Sequence, residues 1–144
     1  MGLLMFLDAS AIVAILGGEP DGPELAGRLN GSKAGFFVSP LVLFDASASL
    51  AAKLARETGL PRDAALLAKA ETAVREFVTS LGAQEMTVSP DIGRKALEAA
   101  QTYSRLVDHP AQLNFGDCFA YACAKAYRIP LLYKGNDFAQ TDLR

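Results

Sequence analysis

Residues 3–16 read LLMFLDASAIVAIL: an apolar run, then Asp8 and two small residues, then a second apolar run. The first run has no polar alternation, which is typical of a parallel strand buried on both faces, and it predicts a strand that ends at Asp8. The second run predicts a helix. Asp8 would then lie at the carboxyl end of a strand, where open α/β sheets bind their ligands. Aspartate is also a common helix N-cap, so Asp8 alone leaves both interpretations open.

The composition indicates one globular domain spanning residues 1–144, because 51% of the residues are hydrophobic. No apolar run approaches the ~20 residues of a membrane span and no signal peptide precedes the first strand, so we expect a cytoplasmic protein without a membrane partner. The net charge of -2 argues against broad electrostatic attraction to nucleic acid. Two cysteines five residues apart and a single histidine disfavour a zinc site or a Cys-His catalytic pair.

Strands alternate with helices along the rest of the chain, which predicts an α/β fold with a central parallel sheet between helical layers. Further strands are expected at 35–38, 84–88 and 131–133. Helices are expected at 24–29, 41–57, 61–81, 90–103 and 115–127, with Gly, Pro and Asn marking most of the turns.

Four acids fall at comparable points of this layout. Asp8 and Asp137 each follow a predicted strand, and Asp45 and Asp117 lie in the first turns of helices. Right-handed crossovers bring strand ends and the following helix starts to one edge of a parallel sheet. At ~5 Å and an effective dielectric of ~20, each charged pair costs roughly 3 kcal/mol, so such a cluster needs cations. Oxygen ligands without His or Cys select Mg²⁺ or Mn²⁺, and these ions hydrolyse phosphodiesters by activating a water.

Each acid also has an explanation that needs no chemistry. Asp117, three residues after Asn114, suits the first turn of a helix, where an acid favours the helix dipole. Asp45 could begin a solvated stripe that continues through Ser49, and Asp137 follows Gly and Asn in an ordinary turn. These explanations are adequate one by one, but the four acids together favour a site.

Four segments carry a family resemblance: FLDASAIVAIL, SPLVLFDASASL, LNFGDCFAYACAKA and LLYKGNDFAQTDL. In this order and over almost the whole chain, they resemble PIN-domain ribonucleases, specifically the VapC toxins of type II toxin-antitoxin systems, including the branch that contains the FitB protein. The resemblance implies a three-layer α/β/α fold in which Asp8, Asp117 and Asp137 bind metal. Asp45 stands where the family usually has glutamate; it is about 1.5 Å shorter, so contact with the metal through a water is expected there.

The resemblance further implies two supporting residues, Ser10 and Asn114, and a Mg²⁺- or Mn²⁺-dependent endoribonuclease that cuts transfer RNA or other structured RNA. Its expected partners are the RNA, a second copy of the chain and a cognate VapB-type antitoxin, a small DNA-binding protein that would provide the only link to DNA. Such an antitoxin commonly docks on the hairpin of the third and fourth helices, 41–57 and 61–81, where the candidate apolar contacts are Leu54, Leu66, Leu67 and Phe77. A basic rim for RNA would come from Lys134, Arg94, Lys95, Arg105 and Arg128.

Three other classes of protein share parts of this pattern. A phospho-receiver domain needs paired acids after its first strand, and a phosphatase of the haloacid dehalogenase type needs Asp-x-Asp there, whereas Asp8-Ala9-Ser10 brings one acid. The third alternative is a catalytically weak PIN-fold binding protein that acts with its antitoxin as a DNA-bound autorepressor. Asp45 in the usual glutamate position keeps that alternative open.

Overall fold

The computed structural model describes residues 4–31, 35–135 and 137–143. Within these ranges the strands are β1 (Leu4–Leu7), β2 (Gly35–Val38), β3 (Gln84–Glu85) and β4 (Leu131–Leu132). The helices are α1 (Ala9–Leu16), α2 (Gly22–Asn30), α3 (Pro40–Thr58), α4 (Ala64–Ser80), α5 (Pro90–Tyr103) and α6 (Phe115–Tyr127). Short 3₁₀ turns follow at Arg105–Val107 and Phe138–Gln140. None of the described helices is both long enough and apolar enough to cross a membrane.

The four strands form a parallel sheet in the order β3-β2-β1-β4. In β1, Phe6 and Leu7 are both fully buried. Because neighbouring side chains of a strand point to opposite faces, both faces of the sheet are covered at this point. Helices α1, α3 and α4 pack together as one group, and α5 packs on α6. The predicted parallel α/β architecture with a buried first strand is confirmed.

The helices begin where side chains satisfy their first backbone N–H groups. In α3 the Ser39 Oγ accepts from the Val42 N–H at 3.2 Å, and in α5 the Ser89 Oγ accepts from the Ile92 N–H at 3.2 Å. Each serine is followed by proline, which has no N–H to satisfy at the first helical position. These Ser-Pro pairs therefore fix the starts of the two helices.

Helix α4 begins later than the sequence predicts. The expected start is Pro61, but the helix runs from Ala64, because the Asp63 carboxylate accepts from the Leu66 N–H at 2.9 Å and caps it there. The expected strand at 84–88 has only two residues, Gln84–Glu85, because it lies at the edge of the sheet and the capped start of α5 follows closely. Leu3 of the expected first strand and Asn136 of the expected loop lie outside the described residues.

Candidate active site

Asp8 lies at the carboxyl end of β1, as the sequence predicts, and it also caps the helix that follows. Its Oδ2 accepts from the Ser10 N–H at 3.0 Å, so Asp8 is the N-cap of α1, and the residue is only 3% exposed. The Ser10 Oγ in turn accepts from the Lys134 N–H at 3.0 Å. Ser10 thereby connects the start of α1 to the loop that follows β4, and this contact fixes the backbone around Asp8.

Asp117 is placed by the first turn of α6. Its N–H donates to Asn114 Oδ1 at 2.8 Å, and its own Oδ2 accepts from the Asn114 N–H at 3.1 Å. This reciprocal pair is a capping box, and it fixes the rotamer of the Asp117 side chain. The side chain is buried. Asn114 therefore supports Asp117 and caps the helix at the same time.

Asp45 reaches the same region from α3, because α6 offers a glycine at the contact. The Ser49 hydroxyl donates to Asp45 Oδ1 at 3.1 Å, and Asp45 Oδ2 lies so close to Gly116 that a Cβ there would collide with it. Gly116 is a site residue that the sequence analysis missed. Its signal in the sequence is a glycine in the first turn of a helix, where alanine is about 1 kcal/mol more favourable and no turn requires glycine.

Three of the four predicted acids line one cavity. Its volume is about 200 Å³, and its lining includes Asp8, Asp45 and Asp117 together with Ser10 and Asn114. Three further polar residues also line it: Glu19, Ser49 and Lys134, of which the sequence did not connect Glu19 with the acids. The fourth acid, Asp137, does not line this cavity. It is exposed at the start of the 3₁₀ turn Phe138–Gln140.

The charges of the four acids nonetheless interact, although only three of the acids line the cavity. Burial raises the pKa of Asp8 to about 6, and the charge of Asp45 adds to the rise while hydrogen bonds from Ser10 oppose it. The pKa of Asp117 is raised to about 7, mainly by burial and then by the charges of Asp8, Asp137 and Asp45, while the hydrogen bond from the Asn114 N–H opposes the rise. Asp137 therefore acts on Asp117 from outside the cavity. A cation in this region would relieve both the burial penalty and the repulsion.

The donor set fits a hard divalent cation. The lining offers carboxylate, hydroxyl and amide oxygens, which are the ligands that Mg²⁺ and Mn²⁺ prefer. Across the residues that the structure describes, no group of three or more Asp, Glu, His or Cys side chains is arranged to hold a metal ion. Mg²⁺ does not require such a group, since it is usually held by one or two carboxylates and completed by water and substrate phosphate. Asp8 and Asp117 are the two buried carboxylates that suit this role.

The expected basic rim is only partly present. Lys134 borders the acidic cavity, but Arg94 and Arg105 line a separate apolar groove between α5 and α6. Arg128 caps the carboxyl end of α6, about 16 Å along the helix from Asp117 at its start. Arg128 is therefore too far away to contribute to a rim around the acids.

Asp142 belongs to a structural contact. The Tyr121 hydroxyl donates to its Oδ1 at 2.5 Å, and the Lys125 ammonium donates to its Oδ2 at 2.7 Å. Burial raises the pKa of Asp142, but these two hydrogen bonds and the Lys125 charge outweigh burial and lower it overall. This contact ties the last described turn of the chain to α6, and so it helps to hold the segment that carries Asp137.

The chain is a parallel α/β domain with two buried acids, Asp8 and Asp117, at the carboxyl edge of its sheet, the edge at which open α/β sheets bind their ligands. Residues 5–143 match the family model described as PIN domain. A VapC ribonuclease of Rhizobium meliloti is 44% identical over 97% of this chain and 99% of its own length. The ribonuclease VapC42 of Mycobacterium tuberculosis is 34% identical over 97% of each chain.

Solved structures agree on the fold. VapC20 of Mycobacterium tuberculosis, a toxin that cleaves the sarcin-ricin loop, superposes with a TM-score of 0.69 at 18% identity, over 97% of this chain and 96% of its own. A toxin-antitoxin complex from Klebsiella pneumoniae gives a TM-score of 0.62 at 16% identity, over 94% of this chain and 90% of its own. The chain belongs to the PIN-domain family and, within it, to the VapC ribonucleases. The resemblance noted in the sequence is thus confirmed, and so is the PIN-like fold.

Proposed function

We propose that this chain is a Mg²⁺- or Mn²⁺-dependent endoribonuclease that cleaves transfer RNA or other structured RNA and serves as the toxin of a toxin-antitoxin pair. The observation that carries the proposal is the convergence of Asp8, Asp45 and Asp117 on one cavity, with Asp8 and Asp117 buried. Uncompensated carboxylates in such a place destabilise the fold, which favours a binding role for them. The family of the chain supplies the reaction class.

In this proposal Asp8 and Asp117 hold the metal directly. Asp45, oriented by Ser49, and Asp137, at the exposed rim, act on the same ion through water or through their charge. The bound ion supplies two things: it lowers the pKa of water, and it offsets the negative charge that develops on the phosphate oxygens. Ser10 and Asn114 keep Asp8 and Asp117 in fixed rotamers, so that the two carboxylates require little reorganisation on binding.

The first test uses purified protein, freed of any partner, with total RNA and with transfer RNA in Mg²⁺ or Mn²⁺. We expect discrete fragments from the wild type and none in EDTA or from Asp8→Asn. Asparagine is also a good N-cap, so this variant keeps the hydrogen bond from Ser10 and should fold. Cleavage by Asp8→Asn at the wild-type rate would mean that the activity does not depend on Asp8 and comes from a contaminating nuclease.

The antitoxin is the proposed partner of this chain. The hairpin of α3 and α4 offers Leu67, which is 46% exposed, beside a groove of about 370 Å³ lined largely by alanines. Leu66 of the same helix also lines this groove but is only 6% exposed, so it offers little surface to a partner. Expression of the chain in a bacterium should arrest growth, expression of Asp8→Asn should not, and coexpression of the cognate antitoxin should restore growth. Arrest by both forms would point to a cause other than RNA cleavage.

Gly116 provides a more specific test of the site. In Gly116→Ala the new methyl group would lie 3.2 Å from Asp45 Cγ and would collide with Oδ2, so the Asp45 side chain must turn away. We expect cleavage to fall by about tenfold to hundredfold, the effect of misplacing a group at a reacting centre by about 1 Å. Because a side chain can move without disturbing the backbone, the melting temperature should change little.

Gly93→Ala is the matched control for this substitution. Gly93 also lies near the start of a helix, but nothing is within 4 Å of the position that its Cβ would take. The change should stabilise the protein by about 0.5–1 kcal/mol and leave cleavage unchanged. Equal activities of Gly116→Ala and Gly93→Ala would mean that the position of Asp45 does not matter to the reaction.

A further inference from the structure

The acidic cavity also contains a positively charged side chain, and the proposed metal-binding role of the acids does not explain its presence. Among the described residues that line it, Lys134 is the only basic one. Its ammonium forms an ion pair with Glu19, and it lies 3.7 Å from Asp21 Oδ1. Asp21 Oδ1 is buried and has no hydrogen-bond partner among the described residues, so the Lys134 charge is its main compensation.

Both partners of Lys134 come from one turn, the segment between α1 and α2. This turn is itself well held: the Glu19 N–H donates to Ala14 O at 3.0 Å, and the Gly22 N–H donates to Glu19 O at 2.9 Å. The Glu19 side chain is only 15% exposed, whereas the Lys134 side chain is 35% exposed. Glu19 is therefore the less exposed, fixed member of the pair, and Lys134 is the member that a ligand can reach.

An ammonium group has three N–H donors. Glu19 takes one of them, and Asp21 lies beyond hydrogen-bond distance, so the group retains donors for a ligand. A polyanion that approaches the acids is repelled by them, and a cation fixed beside them offsets that repulsion. Without these contacts the long, flexible side chain of Lys134 would extend into solvent. Two carboxylates instead hold its ammonium group beside the cavity, which indicates that the position of this charge is functionally important.

We propose that Lys134 contacts a phosphate of the RNA next to the acidic cavity, and that Glu19, with Asp21, is a positioning residue that holds the Lys134 ammonium in place. This inference rests on the proposed function and adds to it a substrate contact. It assigns a role to the turn between α1 and α2, which otherwise only connects two helices. It also explains why Ser10 binds the backbone of Lys134, because that hydrogen bond fixes the base of the lysine relative to Asp8.

The experiment compares Lys134→Met, Lys134→Arg, Glu19→Gln and the double variant Glu19→Gln/Lys134→Met. The first readout is kcat/KM for transfer RNA cleavage. The second is the salt dependence with which a fluorescent, mixed-sequence single-stranded RNA binds in an Asp8→Asn background. Melting curves verify that each variant is folded, and Lys134→Arg keeps the charge if Lys134→Met is unstable.

Lys134→Met should lower kcat/KM by about tenfold to hundredfold, the effect of losing a charge-assisted hydrogen bond. It should also reduce the slope of log K against log salt concentration by about 0.7, the value for one phosphate contact on a single strand. Lys134→Arg should retain most of the activity and the full slope. Glu19→Gln should lower kcat/KM by about threefold to tenfold in the wild type. In the Lys134→Met background it should lower kcat/KM no further, because a residue that acts only through Lys134 has no effect once Lys134 is replaced.

An unchanged salt slope in Lys134→Met would overturn the phosphate contact. An equal cost of Glu19→Gln in both backgrounds would overturn the positioning role and would indicate that Glu19 acts on the metal or on the fold. These outcomes are distinct from a failure of the proposed function. If the salt slope differs between wild type and Lys134→Met as expected but the wild type does not cleave RNA, the nuclease proposal fails and the phosphate contact stands. If the wild type cleaves RNA and Lys134→Met matches it in both readouts, the phosphate contact fails and the nuclease proposal stands.

Discussion

Replacement of Asp117 by asparagine is expected to lower RNA cleavage by about 10³-fold or more. A divalent ion contributes several kcal/mol of charge stabilisation to phosphodiester hydrolysis, and each 1.4 kcal/mol corresponds to a factor of ten. The Asp117→Asn variant would keep the capping box, because the new amide oxygen can still accept from the Asn114 N–H. The loss should therefore reflect the missing charge. Cleavage assays with transfer RNA, at equal concentrations of folded protein, measure it.

The same substitution is expected to stabilise the metal-free protein at pH 8. At this pH Asp117 is ionised, although burial and its acidic neighbours raise its pKa from 3.8 to about 7. A pKa raised in the folded state means that ionisation is costlier there than in the unfolded chain, so a neutral amide removes a penalty on the order of 1–3 kcal/mol. Denaturant unfolding in EDTA would measure the gain.

Asp91→Asn is the matched control for Asp117→Asn. Asp91 also lies in the first turn of a capped helix, but its side chain is 57% exposed and has Lys95 and Arg94 as partners at 3.3 and 3.5 Å. This change should leave cleavage unaltered and should alter stability by less than about 1 kcal/mol. If Asp117→Asn destabilised the protein more than Asp91→Asn does, the assignment of Asp117 as a strained binding residue would be wrong.

The features that the sequence predicted well are those with local signals. An unbroken apolar run predicts β1, and Ser-Pro pairs predict the starts of α3 and α5 within a residue. The placement of Asp8, Asp45 and Asp117 follows from topology, because strand ends and helix starts share one edge in any parallel sheet with right-handed crossovers. These acids could therefore be grouped before any contact between them was known.

The features that the sequence did not predict depend on contacts between distant segments of the chain. Glu19 and Lys134 are 115 residues apart, and each taken alone is an ordinary charged residue beside a turn. Gly116 matters only because α3 brings Asp45 against it, which no local pattern encodes. Asp137 follows β4 as expected, but a position after a strand does not determine whether a loop turns a side chain into the cavity or toward solvent.

The stability of the metal-free protein is expected to fall as pH rises from about 4 to about 7. Asp8 and Asp117 have pKa values of about 6 and 7 in the fold and about 3.8 in the unfolded chain. In this window the folded state binds more protons than the unfolded state, so the free energy of unfolding decreases with pH, by up to about 1.4 kcal/mol per pH unit for each proton. The stabilisation is complete below the unfolded pKa and is lost once pH exceeds the folded values.

Divalent metal should reverse this trend. Metal binds the deprotonated carboxylates, so its affinity increases as Asp8 and Asp117 ionise, and binding to the folded state alone stabilises it by mass action. The increase in melting temperature on adding Mn²⁺ or Mg²⁺ should therefore be small at pH 5 and larger at pH 8.

The double variant Asp8→Asn/Asp117→Asn isolates this effect, because every other titrating group is common to both proteins. The difference in unfolding free energy between wild type and variant should change with pH in EDTA and flatten above about pH 7. Metal should shift the melting temperature of the wild type only. A difference that is constant between pH 5 and 8 would mean that the two carboxylates keep ordinary pKa values in the fold, and the electrostatic argument for a metal at this edge of the sheet would then fail.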